Sequence, residues 1–208
     1  MTRPLIKICG LTRAEDAAFC AAAGADWLGF IFHPKSPRFV TPEKAASLET
    51  GPALRVGVFV DQSPDEVKRI MAQARLDLAQ LHGGQNGQFV RRVGPERVIL
   101  VRWPERYQNP EQMAADLEGD AAYLLLDAGR DGGGHGRSLG LAALGNLDRP
   151  WILAGGLTAE KAAAIDKQTL PNLIGFDLNS GLETSPGVKD HRLVRAAIDA
   201  LRGEVEKS

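Results

Sequence analysis

The 208 residues contain only two cysteines, Cys9 and Cys20. A disulfide framework or a zinc site with paired ligand spacings needs more, so neither is expected. Charge of one sign is equally scarce, since 25 Lys and Arg against 26 Asp and Glu leave a net charge of −1. No polybasic footprint exists, so neither nucleic acid nor an anionic membrane is expected as a partner. No apolar run approaches the roughly 18 residues of a transmembrane helix, and "MTRPLIKICG" turns polar too soon for a secretory signal. The expected location is cytoplasmic. Linkers and low-complexity stretches are also missing, so residues 1–208 read as one domain, and "GEVEKS", 203–208, reads as a flexible tail. What is present is an ordinary globular composition, 44% hydrophobic and 25% charged.

The pattern along the chain is an alternation. Eight short apolar runs, "LIKIC", "WLGFIF", "LRVGVFV", "LAQLH", "RVILVRW", "AYLLLD", "WILAGG" and "LIGFDL", are each followed by a loop and a helical stretch. Helices are predicted near 13–23, 42–49, 64–74, 86–93, 110–118, 139–146, 159–166 and 189–202. Pro42, Pro64 and Pro110 fall where a first helical turn tolerates proline, and Thr158 is a candidate N-cap. Strands alternating with crossover helices imply a parallel sheet, and eight repeats predict a single (β/α)8 TIM barrel near the lower size limit of that fold. A doubly wound open sheet is the alternative.

Alternation along a strand assigns faces. Ile6 and Ile8 share one and should pack under the helices, so Leu5, Lys7 and Cys9 should face the barrel interior. Cys9 then lies at the C-terminal mouth, where barrel enzymes keep their chemistry. It is either a small core filler or a reactive thiol. Cys20, in the alanine-rich "AAFCAAAGAD", reads as a buried inert thiol. By the same alternation Tyr123, Leu125 and Asp127 face inward, with Asp127 at the mouth. A carboxyl there is costly to bury unless it is paired or its pKa rises. It is a helix cap, a salt-bridge partner, or an acid facing the thiol.

Two glycine-bearing loops, "ILAGGLT" with Gly155 and Gly156 and "DLNSGLET" with Ser180 and Gly181, follow the last two runs, where barrels bind phosphate. The glycine-dense "GRDGGGHGRS", with Gly133 and Gly134, suits a mobile cover or a further phosphate contact. In "HPKSPRFVTP", Arg38 stands between prolines that restrict the loop, and its guanidinium could hold a carboxylate bidentately. His82 ends the fourth run, as a structural group or a ligand to substrate. His33 and His135 have weaker claims. With Cys9 these histidines make no metal-binding spacing, so no metal is expected.

The segments "KICGLTR", "AGADWLGFIFHPKSPRFV", "VGVFV", "QLHG", "LLLD" with "GGHG", "LAGGLT" and "NSGLETSPGVKD" resemble, in order and spacing, the phosphoribosylanthranilate isomerase family. The resemblance covers nearly the whole chain. It implies a (β/α)8 barrel acting in tryptophan biosynthesis as an aldose-ketose isomerase, without a cofactor. The reaction it implies is the Amadori rearrangement of the phosphosugar N-(5-phosphoribosyl)anthranilate to 1-(2-carboxyphenylamino)-1-deoxyribulose 5-phosphate. It also implies Cys9 as general base, Asp127 as general acid and Arg38 on the anthranilate carboxylate. Asp177 joins the candidate substrate-binding positions. Three positions depart from the family pattern: His135 where threonine is frequent, Asn179 where serine is usual, and Gln85 where an acidic residue is common. A monomer is expected, with a dimer as the alternative.

Such a mechanism needs a protonated Asp127, which burial would favour, and an ionised Cys9. A free thiol is only a few per cent ionised at pH 7, so a cation must favour the thiolate. Lys7 on the same face is one candidate, unless it pairs with Asp177, and an iminium formed from the substrate is another.

Overall fold

A computed structural model describes residues 3–108, 112, 121–129, 147, 149–165 and 170–203. Each of the eight apolar runs forms a strand: β1 (Leu5–Ile8), β2 (Trp27–Ile31), β3 (Leu54–Phe59), β4 (Leu78–Leu81), β5 (Val98–Arg102), β6 (Tyr123–Asp127), β7 (Trp151–Ala154) and β8 (Leu173–Leu178). All neighbours run parallel, and β8 pairs with β1 to close the ring. Closure decides for the barrel over the open sheet.

Six α-helices lie among the described residues: α1 (Ala14–Ala23), α2 (Pro42–Ala46), α3 (Pro64–Gln73), α4 (Gly87–Val93), α5 (Ala159–Ala163) and α6 (His191–Arg202). Their starts follow the chemistry of the sequence. Thr41, Asn86 and Thr158 each accept a backbone N–H of the first turn, and Ser63 and Glu66 form a reciprocal capping box ahead of α3. Pro42 and Pro64 occupy first-turn positions, where no intrahelical donor is lost. The helices expected near 110–118 and 139–146, with Pro110, fall largely or wholly outside the described residues, as does 204–208 of the expected tail. Gly203 ends α6 in a left-handed conformation at φ 73°.

The last helix begins two residues later than the pattern suggested. Glu183–Ser185 (β9) and Val188–Lys189 (β10) pair as an antiparallel hairpin, and Asp190 then caps α6 by accepting from the N–H groups of Arg192 and Leu193.

Two apolar layers result from the alternation. Ile6, Ile8, Leu124 and Leu126 are fully buried between strands and helices. Full burial of one such side chain contributes about 1.5–3 kcal/mol. Val56, Leu78, Ile99, Leu125 and Ile152 fill the interior, with Leu5 and Tyr123 packed against them. Towards the N-terminal end Trp27 meets Tyr123 edge-on at 5.0 Å, which closes the interior below the mouth. Among the described residues no helix is long and apolar enough to cross a membrane.

Candidate active site

At the C-terminal ends of the strands a cavity of about 720 Å³ opens. Cys9, Arg38, His82, Asp127, Gly155, Gly156, Asp177, Ser180 and Gly181 all line it. Every described residue expected to bind or react is therefore in one place, although β1, β2, β4, β6, β7 and β8 and the loops after them supply these residues from distant parts of the chain. Gly133, Gly134 and His135 lie outside the described residues. A larger cavity of about 920 Å³ lies at the opposite end, around Arg3, Asp26 and Trp27. Its charges are engaged with each other, Asp26 accepting from Arg3 at 3.0 Å and from Arg202 at 2.7 Å. That end of a barrel serves stability.

Cys9 is held one residue beyond β1. Its N–H donates to Leu178 O at 2.8 Å, which extends the β1–β8 pairing by one step and fixes the side chain inward. It is 4% exposed, and a Cβ on Gly29 of β2 would come within 2.7 Å of Sγ, so glycine there makes the room the thiol occupies. Burial pushes the Cys9 thiol above the ordinary cysteine range, and the Lys7 ammonium only partly opposes it.

Lys7 is fully enclosed, and its Nζ donates to both carboxylate oxygens of Asp177 at 2.9 Å. The two arrangements open from sequence coexist, since the lysine pairs with Asp177 and also hydrogen-bonds the Cys9 thiol. Burial alone would lower the lysine pKa, but Asp177 and Cys9 more than offset this and hold it above the usual value. Burial pushes the Asp177 carboxyl up, against the pull of Lys7.

Asp127 departs from expectation in its surroundings. Its side chain is 21% exposed, so it is a cavity-wall carboxyl rather than a buried one. It is the last residue of β6, opposite Ala154 at the end of β7. Oδ1 accepts from the Gly129 N–H at 3.0 Å, and Oδ2 lies 3.7 Å from His82 Nε2. A Cβ on Gly155, at φ 99°, would come within 2.7 Å of Oδ1 and 2.6 Å of the Ala128 nitrogen, which restricts that position to glycine twice over.

His82 stands edge-on to Trp103 at 5.3 Å, and Gln80 Nε2 lies 3.3 Å from its Nδ1. Burial lowers its pKa despite the nearby Asp127 and Asp177, so the ring is neutral at pH 7. Of its two ring nitrogens, Nδ1 faces Gln80 and Nε2 faces Asp127.

Arg38 is already engaged. Its Nε and Nη2 grip the carboxylate of Glu183 at the start of the hairpin, at 2.9 and 2.6 Å. The loops after β7 and β8 approach closely: a Cβ on Gly181 would sit 2.5 Å from Leu157 O. Among the described residues no group of three or more His, Cys, Asp or Glu is placed to hold a metal ion.

A family model described as N-(5'phosphoribosyl)anthranilate (PRA) isomerase matches residues 6–200. The chain belongs to this family. The N-(5'-phosphoribosyl)anthranilate isomerase of Desulfovibrio desulfuricans is 50% identical over 199 residues, covering 93% of either chain. The phosphoribosyl anthranilate isomerase of Thermus thermophilus superposes with a TM-score of 0.79 at 37% identity, over 97% of this chain and 100% of that one. Another phosphoribosyl anthranilate isomerase was solved in complex with reduced 1-(o-carboxyphenylamino)-1-deoxyribulose 5-phosphate. It matches with a TM-score of 0.76 at 30% identity, over 96% of this chain and 99% of that one.

Within this isomerase, sequence reasoning assigned no role to Glu183 and Lys189. Both stand in the quoted "NSGLETSPGVKD", but their pairing with each other and with Arg38 forms only when the barrel closes. Of the departures from the family pattern, Asn179 Oδ1 accepts from Lys189 Nζ at 3.0 Å. Gln85 bridges its loop to β3, accepting from the Gly83 N–H at 2.9 Å and donating to Val60 O at 2.8 Å.

Proposed function

We propose that Cys9 and Asp127 are the base and acid with which this isomerase rearranges N-(5-phosphoribosyl)anthranilate to 1-(2-carboxyphenylamino)-1-deoxyribulose 5-phosphate. The observation that carries the reading is that the thiol and the carboxyl open on one cavity, with Arg38 and the two glycine-bearing loops on its wall. Asp127 gives a proton to the furanose ring oxygen, and the C1–O bond breaks to leave an iminium between C1 and the anilino nitrogen. Cys9 takes the proton from C2, which the adjacent iminium has made acidic. The resulting enolamine tautomerises to the ketone. The substrate gains one proton from Asp127 and loses one to the Cys9 thiolate, so its atoms and electrons balance without a cofactor, and the proton that the resting thiol sheds when the iminium forms returns through solvent to the Asp127 carboxylate.

The order of these steps follows from where positive charge stands near Cys9. Lys7 is shared between Asp177 and the thiol, and burial still holds the Cys9 pKa above its usual range in the free protein. The cation that favours the thiolate is then the iminium itself, which forms beside Cys9 only after Asp127 has acted. Arg38 takes the anthranilate carboxylate at one end, and Gly155, Gly156, Ser180 and Gly181 offer backbone N–H groups to the phosphate at the other. His82 and Asp177 face the sugar between them. We read Gly133 and Gly134 as a further phosphate contact, the chain as one monomeric domain, and its location as the cytoplasm.

The test is conversion of N-(5-phosphoribosyl)anthranilate, followed by loss of its fluorescence, with Cys9→Ala and Asp127→Asn. Each variant is expected to keep the wild-type circular dichroism spectrum and lose about 10²–10⁴-fold in turnover. Wild-type turnover in Cys9→Ala removes the thiol as base.

A further inference from the structure

Arg38 meets the cavity with one edge of its guanidinium already used. Nε donates to Glu183 Oε1 at 2.9 Å and to Oε2 at 3.1 Å, and Nη2 donates to Oε2 at 2.6 Å. Glu183 is itself immobilised. Its side chain is 4% exposed, and Oε1 also accepts from Lys189 Nζ at 2.9 Å and from the Gly187 N–H at 3.2 Å. These hydrogen bonds hold the carboxylate below its usual pKa range, although burial alone would raise it. A guanidinium carries five N–H donors in one rigid plane. With the Nε side committed to Glu183, the Nη1 end has no protein partner among the described residues.

We propose that Glu183 is a positioning residue for substrate recognition: it fixes the Arg38 plane so that the Nη1–Nη2 edge is presented to the carboxylate of the anthranilate ring. The inference rests on the reading of Arg38 as the carboxylate anchor given above. An arginine on a loop samples many rotamers, and ordering it when substrate arrives weakens binding. Glu183 removes that freedom beforehand, and the planar fork converts a fixed position into a fixed bidentate geometry.

Charge gives the same reason for the buried Lys189. Arg38 and Glu183 alone would cancel and offer an incoming carboxylate little attraction. Lys189, buried against Glu183, leaves two cations on one anion, a net positive group. Lys189 also donates to Asn179 Oδ1 and O, at 3.0 and 3.2 Å. Asn179 and Arg38 also lie close to the residue beside the thiol. A Cβ on Gly10, at φ 79°, would lie 2.6 Å from Asn179 Oδ1 and 2.7 Å from Arg38 Cδ. The position between Cys9 and the carboxylate grip therefore admits only glycine.

The test uses two non-reacting ligands: reduced 1-(o-carboxyphenylamino)-1-deoxyribulose 5-phosphate, and the same molecule without the ring carboxylate. Glu183→Gln keeps the side-chain shape but loses the charge and the second acceptor. It should weaken the carboxylate-bearing ligand about 10- to 100-fold, the cost of a lost charged hydrogen bond, and leave the other unchanged. In kinetics KM rises while kcat holds. Glu183→Asp keeps the charge and withdraws it by one methylene, and it should show the same selectivity with a smaller loss, which covers a failure of Glu183→Gln to fold. In an Arg38→Ala background Glu183→Gln should add nothing, since both act on one contact. Equal loss for both ligands, no loss for either, or full additivity overturns the proposal. If Arg38→Ala weakens both ligands equally, the carboxylate reading falls with it. If Arg38→Ala is selective and neither Glu183 variant is, the anchor stands and only the role of Glu183 is lost.

Discussion

Lys7 donates to both carboxylate oxygens of Asp177 at 2.9 Å, inside the barrel and two residues before Cys9 on the same inward face. Removing one member of a buried pair leaves the other charged and uncompensated. Lys7→Met should therefore lower the unfolding free energy by about 3–5 kcal/mol in urea titrations. Lys7→Met with Asp177→Leu should recover much of that loss, because apolar groups of similar volume need no compensation. An unchanged midpoint in the single variant would show that the pair contributes nothing to the fold.

Lys7 also faces the thiol, but its pull does not outweigh the burial of Cys9. Burial holds its pKa above the ordinary range, so iodoacetamide should modify it slowly at pH 7 and faster only at more alkaline pH than a free cysteine requires. Peptide mapping separates it from Cys20. Rapid modification at pH 6 would mean that the thiolate exists before substrate binds, and the ordering of acid before base would fail.

The barrel was legible because its signals are local. Apolar runs of four to six residues mark the strands, and alternation puts Ile6 and Ile8 outside and Lys7 and Cys9 inside. Thr158 and Pro64 mark helix starts by chemistry that acts within one turn. What was illegible is what closure brings together. Lys7 meets Asp177 across 170 residues, and Arg38 meets Glu183 across 145, only because β8 returns to β1. No periodicity encodes such a meeting, so Arg38 read as a free anchor and Glu183 not at all. The start of α6 was misplaced for a related reason, since Lys189 fits a helical pattern until its partner in β9 exists. Asp127 has the burial of a strand end, which depends on neighbouring loops that its own residues do not describe.

The second thiol makes a prediction about pH. Burial pushes Cys20 from an ordinary 9.0 up to about 12. A raised acid pKa means that the fold favours the neutral thiol, so this contribution to stability is fully present below about pH 9 and is lost as pH climbs towards about 12. Cys20→Ala should start less stable because it opens a small cavity, yet decline less steeply between those limits. Thermal melts of both proteins across that range give the two slopes. Parallel slopes would mean that Cys20 does not titrate with unfolding.

Gly29 tests whether the thiol's place, rather than its presence, matters. Its backbone φ is not in the left-handed region, so alanine meets no conformational strain there and any cost is steric. A Cβ at this position would lie 2.7 Å from Cys9 Sγ and 3.0 Å from Cys9 Cα, closer than carbon contacts allow. Gly29 O also accepts from the N–H groups of Gly10 and Leu11, both at 3.0 Å, so β1 cannot simply move away without breaking those bonds. The thiol must swing or the strands must part. Overpacking of this kind costs about 1–3 kcal/mol. Gly29→Ala should therefore melt earlier than wild type but still fold, and its kcat should fall more than about tenfold, since small displacements of a catalytic group are expensive. KM should change less, because Arg38 and the phosphate loops are untouched. A variant with wild-type kcat would show that Cys9 tolerates displacement, a result hard to reconcile with a base that must reach one proton on C2.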